Sequence, residues 1–234
     1  MRAVILVAGR GIRLRETTEL PKCLLAPGGA ALIERYVRQL DSLGIPATVV
    51  VGFRGELVSQ RLDELAPQHA PTVVTNPEYE RGSILSLAKG LGGVSEDILL
   101  MDGDVLFHPD LLTRLVNSPH ANALLVDTGN AFTGEEYMTG IDGGRATELR
   151  RAAVPGHEAT GEWVGFAKLD AASALQLRAA IATRIAAGDT SGGYEDALAS
   201  ILASREVKCV ETGGLPWIEI DFPDDASRAE TLLG

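Results

Sequence analysis

Residues Ala3 to Val7 form an unbroken run of apolar and β-branched side chains closed by Ala8-Gly9, the pattern of a strand buried on both faces near the centre of a parallel sheet. From Ala30 to Leu43 the spacing becomes helical, with Leu32, Ile33, Tyr36, Val37 and Leu40 on one face and Gly44 as the stop. Ala47 to Val51 reads as a second strand. The alternation continues with a helix around Glu56 to Leu65, a strand at Thr72 to Thr75, a helix around Ser83 to Gly90 and a strand at Ile98 to Met101. Such alternation predicts right-handed crossovers and helices on both sheet faces. The expected class is α/β, with a doubly wound, mixed but mostly parallel sheet.

The second half is less regular. Strands are expected at Ala123 to Asp127, Thr147 to Leu149, Val164 to Leu169, Val207 to Val210 and Trp217 to Ile220, and helices at Ala171 to Ala187 and Tyr194 to Ser204. Asp142-Gly143-Gly144 predicts a hairpin turn, so the later strands should add a small β-rich, substrate-covering extension and an antiparallel edge. The chain has 234 residues and no internal repeat, which fits one domain over 1–234.

Composition narrows the chemistry. A formal net charge of −11 argues against non-specific nucleic-acid binding, which needs basic surface. The exception is local: Arg2, Arg10, Arg13 and Arg15 lie close together in sequence, with Glu16 the first acidic neighbour. Cys23 and Cys209 have no metal-ligand spacing and form no disulfide framework. The apolar run at the start is far below the ~20 residues that span a bilayer. A cytoplasmic protein without membrane contact is expected, and a homo-oligomer is left open.

Three segments carry candidate chemistry. Leu6-Val7-Ala8-Gly9-Arg10-Gly11-Ile12-Arg13-Leu14 is a glycine-containing turn after a buried strand, followed closely by Pro21-Lys22. Its glycines let backbone amides approach phosphates and its cations can neutralise them. Neither the dinucleotide fingerprint nor the P-loop pattern matches, and a plain tight turn is the other reading. Leu99-Leu100-Met101-Asp102-Gly103-Asp104 places carboxylates at the C-terminal end of a buried strand, where open α/β sheets bind ligands and where Mg²⁺ is commonly held. Helix or turn capping is the alternative for these aspartates. Trp217 to Phe222 is an alternating segment with Glu219 and Asp221 on one face. For Glu219 a solvated edge position is preferred. None of the four histidines falls in a catalytic pattern.

The first segment with Pro21-Lys22-Cys23-Leu24-Leu25 resembles the A-G-x-G-x-R-(L)…P-K-x-L signature of the nucleotidyltransferase superfamily, the GT-A-like NTP transferases that activate sugar phosphates and choline phosphate. The resemblance implies a Rossmann-like nucleotidyltransferase fold. It implies that the loop holding Leu6, Ala8, Gly9 and Gly11 wraps the NTP, that Arg13 contacts its outer phosphates and that Lys22 stabilises charge at the α-phosphate. Asp104 and Asp221 would hold Mg²⁺, with Asp102 beside the nucleotide.

Asn76-Pro77-Glu78-Tyr79, Ser83 to Leu87 and Glu195-Asp196 resemble the choline-phosphate cytidylyltransferase branch in particular. That likeness implies CTP and phosphocholine as substrates and CDP-choline and pyrophosphate as products. Ser83 and Ser86 would meet the nucleotide. Tyr137, Tyr194 and Trp217, helped by Glu136 or Glu195, would face the quaternary ammonium. Sugar 1-phosphates, inositol phosphate and phosphonates fit the same scaffold as acceptors, and a non-catalytic nucleotide-binding regulator is the alternative of another class.

Overall fold

The computed structural model describes residues 1–14 and 19–232, so Arg15 and Glu16 of the expected cationic stretch lie outside the described residues. In chain order the elements are β1 Arg2–Val7, α1 Leu32–Ser42, β2 Ala47–Val51, α2 Gly55–Leu65, β3 Thr72–Thr75, α3 Ser83–Gly90, β4 Ile98–Asp102, β5 Val105–Phe107 and α4 Pro109–Asn117. They continue as β6 Ala123–Asp127, β7 Met138–Asp142, β8 Arg145–Arg150, β9 Ala159–Leu169, α5 Ala171–Ala186, α6 Glu195–Leu202, β10 Lys208–Glu211, β11 Trp217–Glu219 and α7 Pro223–Leu232.

A mixed nine-stranded sheet runs in the order β3-β2-β1-β4-β9-β6-β10-β8-β7, with β7 also paired to β9. Alternation along β1 sends Ala3, Ile5 and Val7 to one face and Val4 to the other. The first face packs against α1, α2, α4 and α7, where Leu32, Tyr36, Leu62, Leu112 and Ala229 are buried. The second packs against α3, α5 and α6, through Ile84, Leu87, Leu177, Leu198 and Ile201.

The expectation of a mostly parallel sheet holds only for the β3-β2-β1-β4 half. Among the described residues this sheet has four parallel pairings, the fourth being β6–β10, and five antiparallel ones, because β9 runs against both β4 and β6 and the β7–β8 hairpin adds two more reversals and pairs with β10. The reason is local. Ala159 to Leu169 is one continuous strand whose first half carries polar residues, and it returns along β4 without a crossover helix.

Two features position the chemistry. The order β2-β1-β4 makes a topological switch between β1 and β4, so the segments leaving their C-terminal ends face one crevice. Leu6 and Asp102 are in register, and the amide of Gly103 donates to the Leu6 carbonyl at 3.1 Å. The second feature is a two-stranded ladder outside the main sheet. β5 follows directly on Asp102-Gly103-Asp104 and pairs antiparallel with β11, Val105 opposite Glu219.

The β7–β8 extension is fastened by His157. Its Nδ1 lies 2.7 Å from Asp142 Oδ2 and its Nε2 3.0 Å from Glu148 Oε2. A protonated ring donates to both carboxylates, and the hydrogen bonds to Asp142 and then Glu148 raise its pKa above the ordinary value. The clamp contributes its full stability below the unfolded histidine value of about 6.5 and loses it as pH rises through the higher folded value. The Tm of the native chain should therefore fall more between about pH 6 and about pH 9 than that of a His157→Gln variant. Parallel falls in thermal scans of the two proteins would contradict the clamp.

Candidate active site

The loop after β1 runs through Gly9-Arg10-Gly11 without regular structure into a single 3-10 turn over Ile12–Leu14, and another follows over Lys22–Leu24. Gly11 has φ +62°, and a Cβ there would lie 2.9 Å from Cγ of Lys22, so the lysine stem crosses directly over it. Only glycine meets both demands at low cost. The lysine is thereby aimed across the crevice, and its Nζ donates to Asp104 Oδ2 at 2.9 Å and to Asp221 Oδ1.

Asp221 reaches this point through the β5–β11 ladder. Ile220 donates its amide to the Asp104 carbonyl at 2.9 Å, which carries the β11 chain past the end of β4. The start of α7 then fixes the next residues: Asp225 Oδ2 accepts from the amides of Asp221 at 3.2 Å and Phe222 at 2.9 Å. Arg13 closes the arrangement from the other side, donating from Nη1 to Asp221 Oδ2 at 2.6 Å with its guanidinium 5.1 Å from the Phe222 ring centre.

Lys22, Arg13, Asp104 and Asp221 thus converge, although 199 residues separate Lys22 from Asp221. Burial lowers the lysine pKa, but the charges of Asp104 and Asp221 outweigh it and leave the ammonium well above its ordinary value. Burial raises the Asp221 pKa, and Lys22 and Arg13 together reverse that and hold it low.

Among the described residues, Asp104, Glu219 and Asp221 are the set of carboxylates whose oxygens all lie within 4.8 Å of one another. Burial against the cleft wall, followed by the charges of Asp104 and Asp221, pushes the Glu219 carboxyl up to about 8, even though its outer atoms are open to solvent. Three hard oxygen donors within reach of one another, two of them on the Lys22 ammonium, fit a divalent cation such as Mg²⁺. The sequence favours a solvated edge position for Glu219, and the structure keeps it exposed on the two-stranded ladder while also bringing its carboxylate near Asp104 and Asp221.

Two clefts meet at Asp221. One, of about 380 Å³, is lined by Arg10, Gly11, Arg13, Lys22, Tyr79, Glu80 and Asp221, with Arg10 paired to Glu80 at 3.7 Å. A small recess beside it is lined by Leu6, Gly9, Gly11, Lys22, Gly103 and Asp104. The other, of about 570 Å³, opens under the extension and includes Asp102, Tyr137, Glu195, Trp217, Glu219 and Asp221.

Several expected contacts are placed elsewhere. Arg2 sits at the opposite end of β1 and pairs with Glu96 at 3.2 Å. Ala8 is 3% exposed and serves the fold, its carbonyl accepting from the Phe53 amide at 3.0 Å. Ser86 is 4% exposed and accepts from Asn76 Nδ2 at 2.9 Å, so its hydroxyl is part of the core. Ser83 is only partly buried, and its hydroxyl accepts from the Tyr194 amide at 3.1 Å. Asp102 faces the larger cleft, where Tyr194 donates its hydroxyl to Oδ1 at 2.7 Å.

Of the three aromatics expected around an ammonium group, Tyr194 is 1% exposed and packs edge-on against Trp163, beneath the cleft. Tyr137 lines the cleft, but the Arg151 guanidinium lies 4.9 Å from its ring centre. Trp217 also lines it, with Nε1 donating to Asp127 Oδ2 at 2.7 Å. Glu195 borders the cleft with Oε2 closed in, and that atom has no hydrogen-bond partner among the described residues.

The chain is similar to several known proteins. Over 99% of its length the chain is 31% identical to the bifunctional IPC transferase and DIPP synthase of Rubrobacter xylanophilus and 27% identical to that of Aquifex aeolicus, matching 51% of each. The chain therefore spans about half the length of these curated relatives. Similar solved folds include the CTP:phosphocholine cytidylyltransferase from Streptococcus pneumoniae, with TM-score 0.78 and 20% identity over 100% of this chain and 99% of that one. The inositol-1-phosphate CTP transferase from T. maritima superposes with TM-score 0.76 and 21% identity over 98% and 96% of the two chains. Residues 3–187, from β1 through α5, match the MobA-like NTP transferase domain, and the chain belongs to that family.

Proposed function

We infer that the chain transfers a nucleotidyl group from an NTP, with CTP as the favoured donor, to a phosphorylated cyclic polyol, releasing pyrophosphate. The observation that carries this reading is the convergence of Lys22, Arg13, Asp104 and Asp221 on the wall shared by the two clefts. One cleft offers glycine amides and cations to a triphosphate. The other offers room and polar groups to an acceptor.

Asp104 and Asp221, with Glu219 beside them, would hold Mg²⁺, which supplies charge neutralisation across the reacting phosphates when bound. Around it, Lys22 offsets negative charge developing at the α-phosphate and Arg13 binds the outer phosphates. The nucleophile is an oxygen of the acceptor phosphate, so no protein nucleophile is required. Positioning and electrostatics carry the rate.

The choice of acceptor follows from the larger cleft. A quaternary ammonium is held by open aromatic faces. Here Tyr194 is buried and Tyr137 already carries Arg151, which leaves Trp217 to support phosphocholine. A polyol brings hydroxyl donors, and a short rotation of Glu195 would turn its unpartnered oxygen toward one of them. Of the similar solved folds, the one named as an inositol-1-phosphate CTP transferase supports a polyol phosphate acceptor, the one named for phosphocholine supports the competing acceptor, and both are named for CTP as donor.

The test crosses CTP, UTP and GTP with inositol 1-phosphate, glucose 1-phosphate and phosphocholine while pyrophosphate release is followed. The expected result is CMP transfer to a polyol phosphate, abolished by EDTA and restored by Mg²⁺. Transfer confined to phosphocholine would overturn the acceptor class, and absence of transfer in every combination would overturn the function.

A further inference from the structure

We propose that Glu135 occupies the seat of a substrate phosphoryl group, and that Arg151 is the second guanidinium of that seat. The proposal rests on the nucleotidyl-transfer reading and extends it to two residues that carry no sequence signature. One oxygen of Glu135, Oε2, takes Nη2 of Arg13 at 2.7 Å and Nη1 of Arg151 at 3.5 Å. Arg13 comes from the loop after β1, whereas Arg151 follows β8 in the extension, so the carboxylate bridges the two walls. An anionic oxygen flanked by two guanidiniums is the arrangement that binds a phosphoryl group.

Both the stand-in and its second partner are preset. The turn that presents Glu135 is built around its neighbour: the Glu136 carboxylate accepts from the amides of Thr133 at 2.8 Å, Gly134 at 3.1 Å and Glu135 at 3.2 Å, and from the Thr133 hydroxyl. Arg151 is laid on the Tyr137 ring. With both guanidiniums held by other contacts, removal of Glu135 would leave the seat standing.

The hold on Glu135 is weak. Arg13, Glu135 and Arg151 are each 40% or more exposed, and ion pairs so open to water contribute little. A phosphoryl dianion carries more charge and three acceptor oxygens, and displaces a single carboxylate from such a site. The seat would therefore be filled by the chain until substrate arrives, which keeps two guanidiniums from facing each other empty.

The occupant is a phosphoryl group of either the NTP or the acceptor, and separate KM measurements tell them apart. Glu135→Gln removes the charge and keeps an acceptor for Arg13. It should lower KM for one substrate by about two- to fivefold, the weight of an exposed ion pair. Arg151→Ala should raise KM for that same substrate about tenfold. Binding of inorganic phosphate, measured calorimetrically on the full chain, should tighten in the first variant and weaken in the second.

A purely structural tie across the cleft predicts the opposite sign, because loosening it raises KM. Higher KM in Glu135→Gln, or unchanged KM and unchanged phosphate binding, overturns the proposal. If the native chain transfers no nucleotide in any combination yet phosphate binding responds as stated, the transferase reading falls and the seat stands.

Discussion

Replacing Lys22 with alanine is expected to lower kcat by about 10²-fold or more, the scale of removing a single preorganised charge-stabilising group. Its ammonium bridges Asp104 and Asp221 at the point where both clefts meet, and no other lysine approaches that point among the described residues. The same loss is expected for Asp104→Asn, which keeps the shape and removes the charge. Steady-state pyrophosphate release with saturating NTP and acceptor gives the measurement, and thermal scans in parallel separate lost chemistry from lost fold. If either variant retains near-native kcat while folded, its assigned role is wrong.

The second large effect concerns the fold beneath the site. Gly82 has φ +139°, and a Cβ there would fall well inside contact distance of the Thr190 carbonyl oxygen. The obstacle is backbone, so no rotamer change relieves it. Gly82 also precedes α3, and the adjacent Ser83 hydroxyl accepts from the Tyr194 amide, which places the tyrosine hydroxyl on Asp102. Gly82→Ala should cost at least about 2 kcal/mol, combining backbone strain with overpacking. For a chain of this length that lowers Tm by roughly 5 °C or more. Ser83→Ala, which removes the hydrogen bond alone, should fall less. A Tm for Gly82→Ala equal to that of the native chain would mean the segment around Thr190 yields freely.

Where hydrophobic periodicity was strong, the elements were legible. β1, β2 and β4 are apolar apart from Arg2, Thr48 and Asp102 because helices cover both faces, and α1 shows its buried stripe without ambiguity. α4 escaped although Pro109 at its first turn and buried Leu111, Leu112 and Leu115 were signals that could have found it. α7 buries Ala229 within a run of charged residues, so its period is faint. The three residues of β5 are too few to announce a strand, and their partner lies more than a hundred positions away.

The candidate site was legible to the extent that its residues follow buried strands. Arg13, Lys22, Asp104 and Asp221 could be singled out from pattern and resemblance, and the ladder that unites the last two could not. Burial decided the rest. Tyr194 and Tyr137 are alike in sequence as polar aromatics, yet one is sealed against Trp163 and the other is roofed by a guanidinium. Glu135 sits on a turn whose order comes from a neighbouring side chain, and no linear pattern encodes that.

The short ladder of β5 and β11 has a bearing on how activity is acquired. During synthesis the sheet from β1 to β9 can assemble before Asp221 is made, since that residue enters through a strand formed near the end of the chain. A nascent polypeptide would therefore lack the Lys22–Asp221 pair until this segment emerges. A protease nick at the exposed Gly213-Gly214 turn would cut the covalent link between β10 and β11 and leave Asp221 held in place by the ladder and the start of α7 alone.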